Sequence, residues 1–234
     1  MAVLCLAQIA STVDRGMLAL VVDPVRADLG IDDMQIAWLQ GFAFAVFYVS
    51  VGLPLGYVAD RLNRRWLLVA GILVWSAATI GSGLARGFGD LFVGRLIVGV
   101  GEAVLGPCAV GMIGEMFPAH RRGRPMALYV LGSMVAYGLG AAATGQILQA
   151  APQGAFAGVP LLSALAPWRV AFVLMGAIGV PVAVLLALLG QAARSRGVAQ
   201  ARSGGVWAAM SARWRVLVPL YGSLALFAMG AAAA

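Results

Sequence analysis

Lysine is absent from this 234-residue chain, and charge of either sign is scarce. Asp, Glu, Lys and Arg together supply 11% of the residues, against about 25% in an ordinary soluble domain. A soluble domain of this size could not keep its surface wet with so few charges. Histidine occurs once, at His120 among arginines, so no His/Cys set with metal-ligand spacing exists and no metal or other cofactor is expected. Cysteine occurs twice, at Cys5 and Cys108, which excludes a secreted disulfide scaffold. Both lie inside apolar runs, where cysteine packs as a small hydrophobe. Disorder, collagen and a coiled coil are excluded by the same composition.

What is there is apolar. Hydrophobic residues make up 62% of the chain, and the mean hydropathy is +0.94. Together these point to an all-α, polytopic membrane protein. The net charge of +7 could suggest a nucleic-acid binder. All 16 cations are arginines, however, and they fall in short clusters between long apolar runs rather than along one polar face. That is a membrane-topology pattern, so the expected partner is the lipid bilayer and not nucleic acid.

A spanning helix needs about 20 apolar residues. Runs of that kind predict six spans: Met1 to Val22, Gln35 to Ala59, Trp66 to Leu84, Leu91 to Phe117, Met126 to Ala150 and Trp168 to Leu189. A seventh begins near Arg215 and runs to Ala234. Asp32, three residues before Gln35, fits a capping box. Asp90 is placed to accept the free amides of the fourth span. Pro125 and Pro167 sit at first-turn positions of the fifth and sixth, where no amide is lost. Gly132, Ala136, Gly138 and Gly140 in the fifth span let neighbouring helices approach closely.

Residues 1–190 therefore read as a six-helix transmembrane bundle. Residues 191–214, rich in Ala, Gly, Ser and Arg, read as a cytoplasmic linker, with an amphipathic surface helix as the alternative. Residues 215–234 read as the start of a second bundle, so the chain looks incomplete at its C-terminus. Eleven arginines fall on one side of the spans (Arg61, Arg64 and Arg65; Arg121, Arg122 and Arg124; five between spans 6 and 7) and three on the other. The positive-inside rule makes the N-terminus cytoplasmic. The first apolar run is too long for a cleavable signal. The expected location is a bacterial inner membrane.

Ionisable residues inside a bilayer are costly and mark function. Four lie there: Asp14 and Arg15 in span 1, Arg95 and Glu102 in span 4. Arg95 and Glu102 are seven residues apart, so they share a face about 10 Å apart along the axis. A salt bridge that merely holds the two spans together is the plain alternative. The functional reading is a polar path. Asp14 and Glu102 load and unload protons, and Arg15 and Arg95 alternate between pairing these carboxylates and binding an anionic group of a small-molecule substrate.

The turn after the second span reads Gly56-Tyr57-Val58-Ala59-Asp60-Arg61-Leu62-Asn63-Arg64-Arg65. It resembles the loop 2–3 signature of the major facilitator superfamily, with Asn63 where a second glycine is usual. Arg95, Gly99 and Gly101-Glu102-Ala103 resemble that superfamily's helix 4 motif. Glu115-Met116-Phe117-Pro118, Arg121-Arg122-Gly123-Arg124 and Trp168-Arg169 are similar to its later turns. Asp14-Arg15 combined with Gly101-Glu102-Ala103 narrows the likeness to the spinster-like branch, whose characterised relatives export lysolipids or sphingolipid phosphates. The resemblance implies a twelve-helix transporter of two six-helix bundles, each made of inverted three-helix repeats. It also implies a cytoplasmic gate at Gly56, Asp60, Arg61, Arg64, Arg65, Glu115, Arg121 and Arg122, latching onto a second bundle that this chain lacks.

The leading expectation is thus a secondary active transporter, proton-coupled, for an anionic or amphipathic small molecule such as a lysolipid. An organic-acid or sugar-acid/proton symporter of the same superfamily is the rival, and an inactive half-transporter the third reading. An intramembrane enzyme would need a base or metal ligand inside a helix, and no histidine lies in one.

Overall fold

Proline, glycine and capping side chains decide where the apolar runs begin and break. The structure is a computed structural model. It describes residues 1–189, and for 42–47, 49 and 53 the backbone alone. The expected linker and seventh span lie outside the described residues. Helix α1 is Ala2–Leu20, followed by an eight-residue helix α2, Val22–Leu29. Helix α3, Asp33–Ala37, runs through a π-helical turn at Trp38–Phe42 into α4, Ala43–Arg61. Next come α5, Arg64–Gly83, α6, Phe88–Ala103, and α7, Leu105–Met116. A 3-10 turn at Ala119–Arg121 leads into α8, Gly123–Ala150. The short α9, Pro160–Ser163, precedes α10, Pro167–Leu188.

Five helical stretches among the described residues are long and apolar enough to cross a membrane: α1, α5, α6–α7, α8 and α10. The capping box at the start of α3 forms in both directions: Gln35 N donates to Asp32 Oδ1 at 2.7 Å, and Asp32 N donates to Gln35 Oε1 at 3.0 Å. Pro167 opens α10. Asp90 differs from expectation. The helix starts earlier, with Gly87 at its N-cap, and Asp90 lies inside the first turn, accepting from Arg86 N at 2.9 Å. The fourth span is not one helix either. It breaks at Val104, because Pro107 has no amide to give the Ala103 carbonyl four residues back and its ring crowds that carbonyl. The break falls two residues after Glu102.

Close approaches hold the bundle together. A Cβ on Gly101 would lie 2.8 Å from Trp75 N and 2.9 Å from the Gly71 carbonyl oxygen. A Cβ on Gly176 would lie 2.9 Å from the Ser76 carbonyl oxygen. Helix α5 therefore sits backbone to backbone against α6 on one side and α10 on the other. The main packing pairs are α5 with α10, α1 with α8, α5 with α6, α4 with α6 and α1 with α10. Exchanging the first three spans with the last three maps this set onto itself, so the contacts display a repeat that the sequence hides. Two apolar clusters fill the interior. One gathers Leu4, Ile72, Trp75, Ile113 and Leu186. The other gathers Met17, Val25, Leu91, Trp168 and Phe172.

Candidate functional site

Asp14 and Arg95 lie where the two apolar clusters meet: between Ala7 and Met17 on α1, and between Leu91 and Val98 on α6. Asp14 and Arg95 are each 3% exposed and Glu102 is 1% exposed. Arg15 stands apart, with 30% of its side chain exposed. Arg15 Nε lies 3.0 Å from Glu102 Oε2, and its Nη2 donates to Ser11 Oγ at 3.1 Å. Its guanidinium also sits 5.9 Å from the Tyr48 ring on α4. Asp14, one residue earlier, turns toward α5. It accepts a hydrogen bond from Thr79 Oγ1 of α5 at 2.9 Å, and the charge of Arg95 bears on it more than that of Arg15. The Arg95 guanidinium lies over the Phe172 ring at 5.3 Å. Among the described residues, its Nε and Nη2 have no hydrogen-bond acceptor, and neither has Asp14 Oδ2 a donor.

All four ionisable residues expected from the sequence thus gather between α1 and α6, in two layers. One is a sealed layer of Asp14, Thr79, Arg95 and Phe172. The other is the Arg15–Glu102 pair, which reaches the surface of the bundle through Arg15. Thr79, Ser11, Tyr48 and Phe172 were not anticipated, because a hydroxyl or ring inside an apolar helix carries no sequence signal of its own.

A second constellation lies at one end of the bundle. Arg64, the first residue of α5, bridges two carboxylates: Nη2 to Asp60 Oδ1 and Nη1 to Glu115 Oε1, both at 2.6 Å. Its Nε also donates to the Ala59 carbonyl at 3.2 Å. Of the three arginines that could have paired with Asp60, the structure selects Arg64. Arg61 instead stacks on Tyr57 at 3.8 Å. Arg65 donates to the Ala187 carbonyl and lies 5.1 Å from the Trp66 ring. Arg122 caps α7, donating to the Phe117 and Gly114 carbonyls at 2.9 and 2.7 Å. Arg121 is exposed in the 3-10 turn. Gly56 borders open space, for a Cβ there meets nothing within 4 Å.

Gly111, which sequence reading passed over, is the seat of Arg64: an added Cβ would lie 2.5 Å from the guanidinium carbon. Gly111→Ala is expected to push Arg64 off Glu115. It should change thermal stability by less than about 1 kcal/mol, since the ion pairs are part-exposed. A thermal melt checks this, and a drop of several kcal/mol would show that Gly111 does more than seat Arg64.

The opposite end carries a matching clamp. Arg169, the third residue of α10, donates to Asp28 Oδ2 through Nε at 3.1 Å and Nη2 at 2.9 Å, and Trp168 Nε1 donates to the same oxygen at 3.1 Å. Arg169 Nη1 reaches the Ala85 carbonyl at 2.6 Å. Under the exchange of repeats, Arg169 with Asp28 corresponds to Arg64 with Glu115. Arg169→Ala should cost about 1 to 2 kcal/mol, chiefly because the buried Ala85 carbonyl loses its donor, while the part-exposed Asp28 keeps Trp168 Nε1. Asp28→Asn, which keeps an acceptor, should cost less. Paired melts of the two variants check that order.

A multi-pass apolar bundle with buried ionisable side chains between α1 and α6 and arginine clamps at both ends is an integral membrane protein of transporter type. The profile of the Major Facilitator Superfamily matches residues 4–234, and the chain belongs to that family. It is 33% identical to human Protein spinster homolog 1 over 59% of this chain and 26% of that protein. It is 29% identical to the Probable L-galactonate transporter of Escherichia coli over 79% of this chain and 37% of that protein. A crystal structure of a bacterial homolog to the human lysosomal transporter Spinster, inward-facing and occupied, superposes with a TM-score of 0.74 at 28% identity, covering 81% of this chain and 43% of that one. The chain spans less than half the length of each of these relatives.

Proposed function

We propose that this bundle serves a secondary active transporter that moves an anionic, amphipathic small molecule such as a lysolipid by alternating access, coupled to protons. The observation that carries the reading is the Arg15–Glu102 pair, 3.0 Å apart, with the carboxylate buried and the arginine reachable. A solute phosphate or carboxylate can compete for Arg15 and so release Glu102 to exchange a proton. Asp14 is the second proton-carrying carboxylate. Arg95 is the second anion-binding arginine, available once the packing that covers it rearranges. The Asp60–Arg64–Glu115 cluster, with Arg61, Arg65, Arg121, Arg122 and the open face at Gly56, forms a cytoplasmic gate that a second six-helix bundle closes. The N-terminus is then cytoplasmic, a reading the arginine bias supports.

Likeness to an L-galactonate transporter favours a second reading of the same chemistry, with a sugar acid's carboxylate at Arg15. Proteoliposomes holding the transporter that contains this chain decide between the two. A pH jump should drive flux of lysolipids and leave sugar acids unmoved; the reverse result selects the second reading, and flux indifferent to pH overturns the coupling.

A further inference from the structure

Arg95 is the one arginine buried in full among the described residues, and its charge meets an aromatic face instead of a carboxylate. The guanidinium carbon lies 5.3 Å from the centre of the Phe172 ring of α10, while Nε and Nη2 have no hydrogen-bond acceptor. Of the charges around Asp14, that of Arg95 bears on it most. Yet Asp14 Oδ2 has no donor, and Oδ1 takes its hydrogen bond from Thr79. A buried carboxylate and a neighbouring buried guanidinium tend to close into an ion pair, because neither has water to turn to. Phe172 is placed to keep this pair open. Its side chain is fully buried, and its ring meets that of Trp168 edge to face, with centres 5.7 Å apart and planes at 89°. Trp168 is itself fixed, donating from Nε1 to Asp28 at 3.1 Å beneath the Arg169 guanidinium, 4.4 Å from its ring. On the backbone side, a Cβ on Gly83 of α5 would lie 3.0 Å from Phe172 Cβ, so the helix that carries the ring is pressed onto α5 without slack.

A cation over a ring face that water cannot reach is drawn to the π cloud more strongly than at a surface. We propose that Phe172 is a positioning residue: its ring parks the Arg95 guanidinium off Asp14, leaving the carboxylate free to take a proton and the guanidinium free to take an anion once the packing around them opens. The use of the parked state rests on the transport reading; the parking itself rests on the geometry. The other charges that face Asp14 are Arg15, beside it on α1, and Glu102 on α6. The remaining helices packed around it bring no charge to that depth. Those of α5, α8 and α10 are Arg64 and Arg65, Arg124, and Arg169, all in first turns, and that of α7 is Glu115, held by Arg64. Of the tyrosines on α8, Tyr137 lies against Gly16, and Tyr129 lies among Tyr48, Arg15, Cys5 and Cys108. Arg95 is therefore the charge whose distance from Asp14 the ring controls.

The test is infrared titration of the substrate-free transporter that contains this chain, with the protonated-carboxyl band of Asp14 assigned by its loss in Asp14→Asn. Phe172 is replaced by 3,4,5-trifluorophenylalanine, which keeps the form of the ring and withdraws the negative charge from its face. Arg95 should then close on Asp14, and the Asp14 band should vanish at a pH about one unit or more below that of the unaltered protein, the effect of an opposite charge at contact distance. Phe172→Tyr, which keeps the face, should titrate as the unaltered protein does. In an Arg95→Gln background the fluorinated ring should produce no shift. Phe172→Leu should move the band in the same direction; should it fail to fold, the fluorinated ring, which changes no packing, still decides. An unshifted titration with the fluorinated ring would overturn the proposal. So would an Asp14 carboxylate ionised at every pH in the unaltered protein, for Arg95 would then already be paired with it. Flux indifferent to pH, with the shift present, would overturn the coupling and leave the parking standing.

Discussion

Replacing Glu102 by Gln is expected to abolish proton-driven accumulation while leaving exchange of substrate for substrate intact. Gln keeps the size and the hydrogen-bonding capacity of the side chain but cannot carry a proton across. One proton coupled to one substrate supplies about 1.4 kcal/mol per pH unit, about a tenfold accumulation. With Glu102→Gln the accumulation ratio should fall to about one at any pH difference, because Asp14 is sealed against Thr79 and exchanges its proton only through the opening that Glu102 controls. The geometry gives the reason for choosing this carboxylate over Asp14. Glu102 faces Arg15, the one mid-membrane arginine that reaches the surface of the bundle. Asp14 is sealed against Thr79 of α5. Asp14→Asn should therefore slow transport through disturbed packing and field as well as through lost proton exchange. Full accumulation in Glu102→Gln would remove Glu102 from the coupling step.

The second large effect is on folding. Gly101→Ala puts a methyl group 2.8 Å from Trp75 N and 2.9 Å from the Gly71 oxygen. Both are backbone atoms, so neither can rotate out of the way, and α5 and α6 must separate. Overpacking of this kind costs about 1 to 3 kcal/mol, and Gly101 should sit at the upper end because two backbones are involved. Glu102 is the next residue, so the shift should also weaken its pairing with Arg15. Thermal unfolding in detergent measures the first effect. Gly56→Ala is the control: its Cβ meets nothing within 4 Å, and its melting temperature should not change.

Much of this arrangement was legible in the sequence because its causes are local. The Asp32/Gln35 capping box, Pro167 at the start of α10 and the extents of α1, α5, α8 and α10 follow from runs and caps that a chain carries on its face. The convergence of Arg15 with Glu102 was legible for another reason: a charge in lipid must find a partner, and only two spans offered one. Other features depend on relations that a linear reading does not contain. The octet Val22–Leu29, with three charges, reads as a turn. It is a helix because Val25 is buried against the second apolar cluster and Gly30 closes it with φ of 62°. The break at Val104 was missed because proline is tolerated in many membrane helices where neighbours satisfy the freed carbonyl. Thr79 with Asp14, Gly111 with Arg64 and Arg169 with Asp28 are contacts between residues far apart in the chain, and nothing in the local composition announces them.

The most direct test of the coupling scheme is difference infrared spectroscopy of the transporter with and without substrate, read at the protonated-carboxyl band. Exchange of Arg15 from Glu102 to the substrate anion predicts a substrate-induced change in that band which is missing from Glu102→Gln. A band that changes identically in both proteins, or in neither, would contradict it.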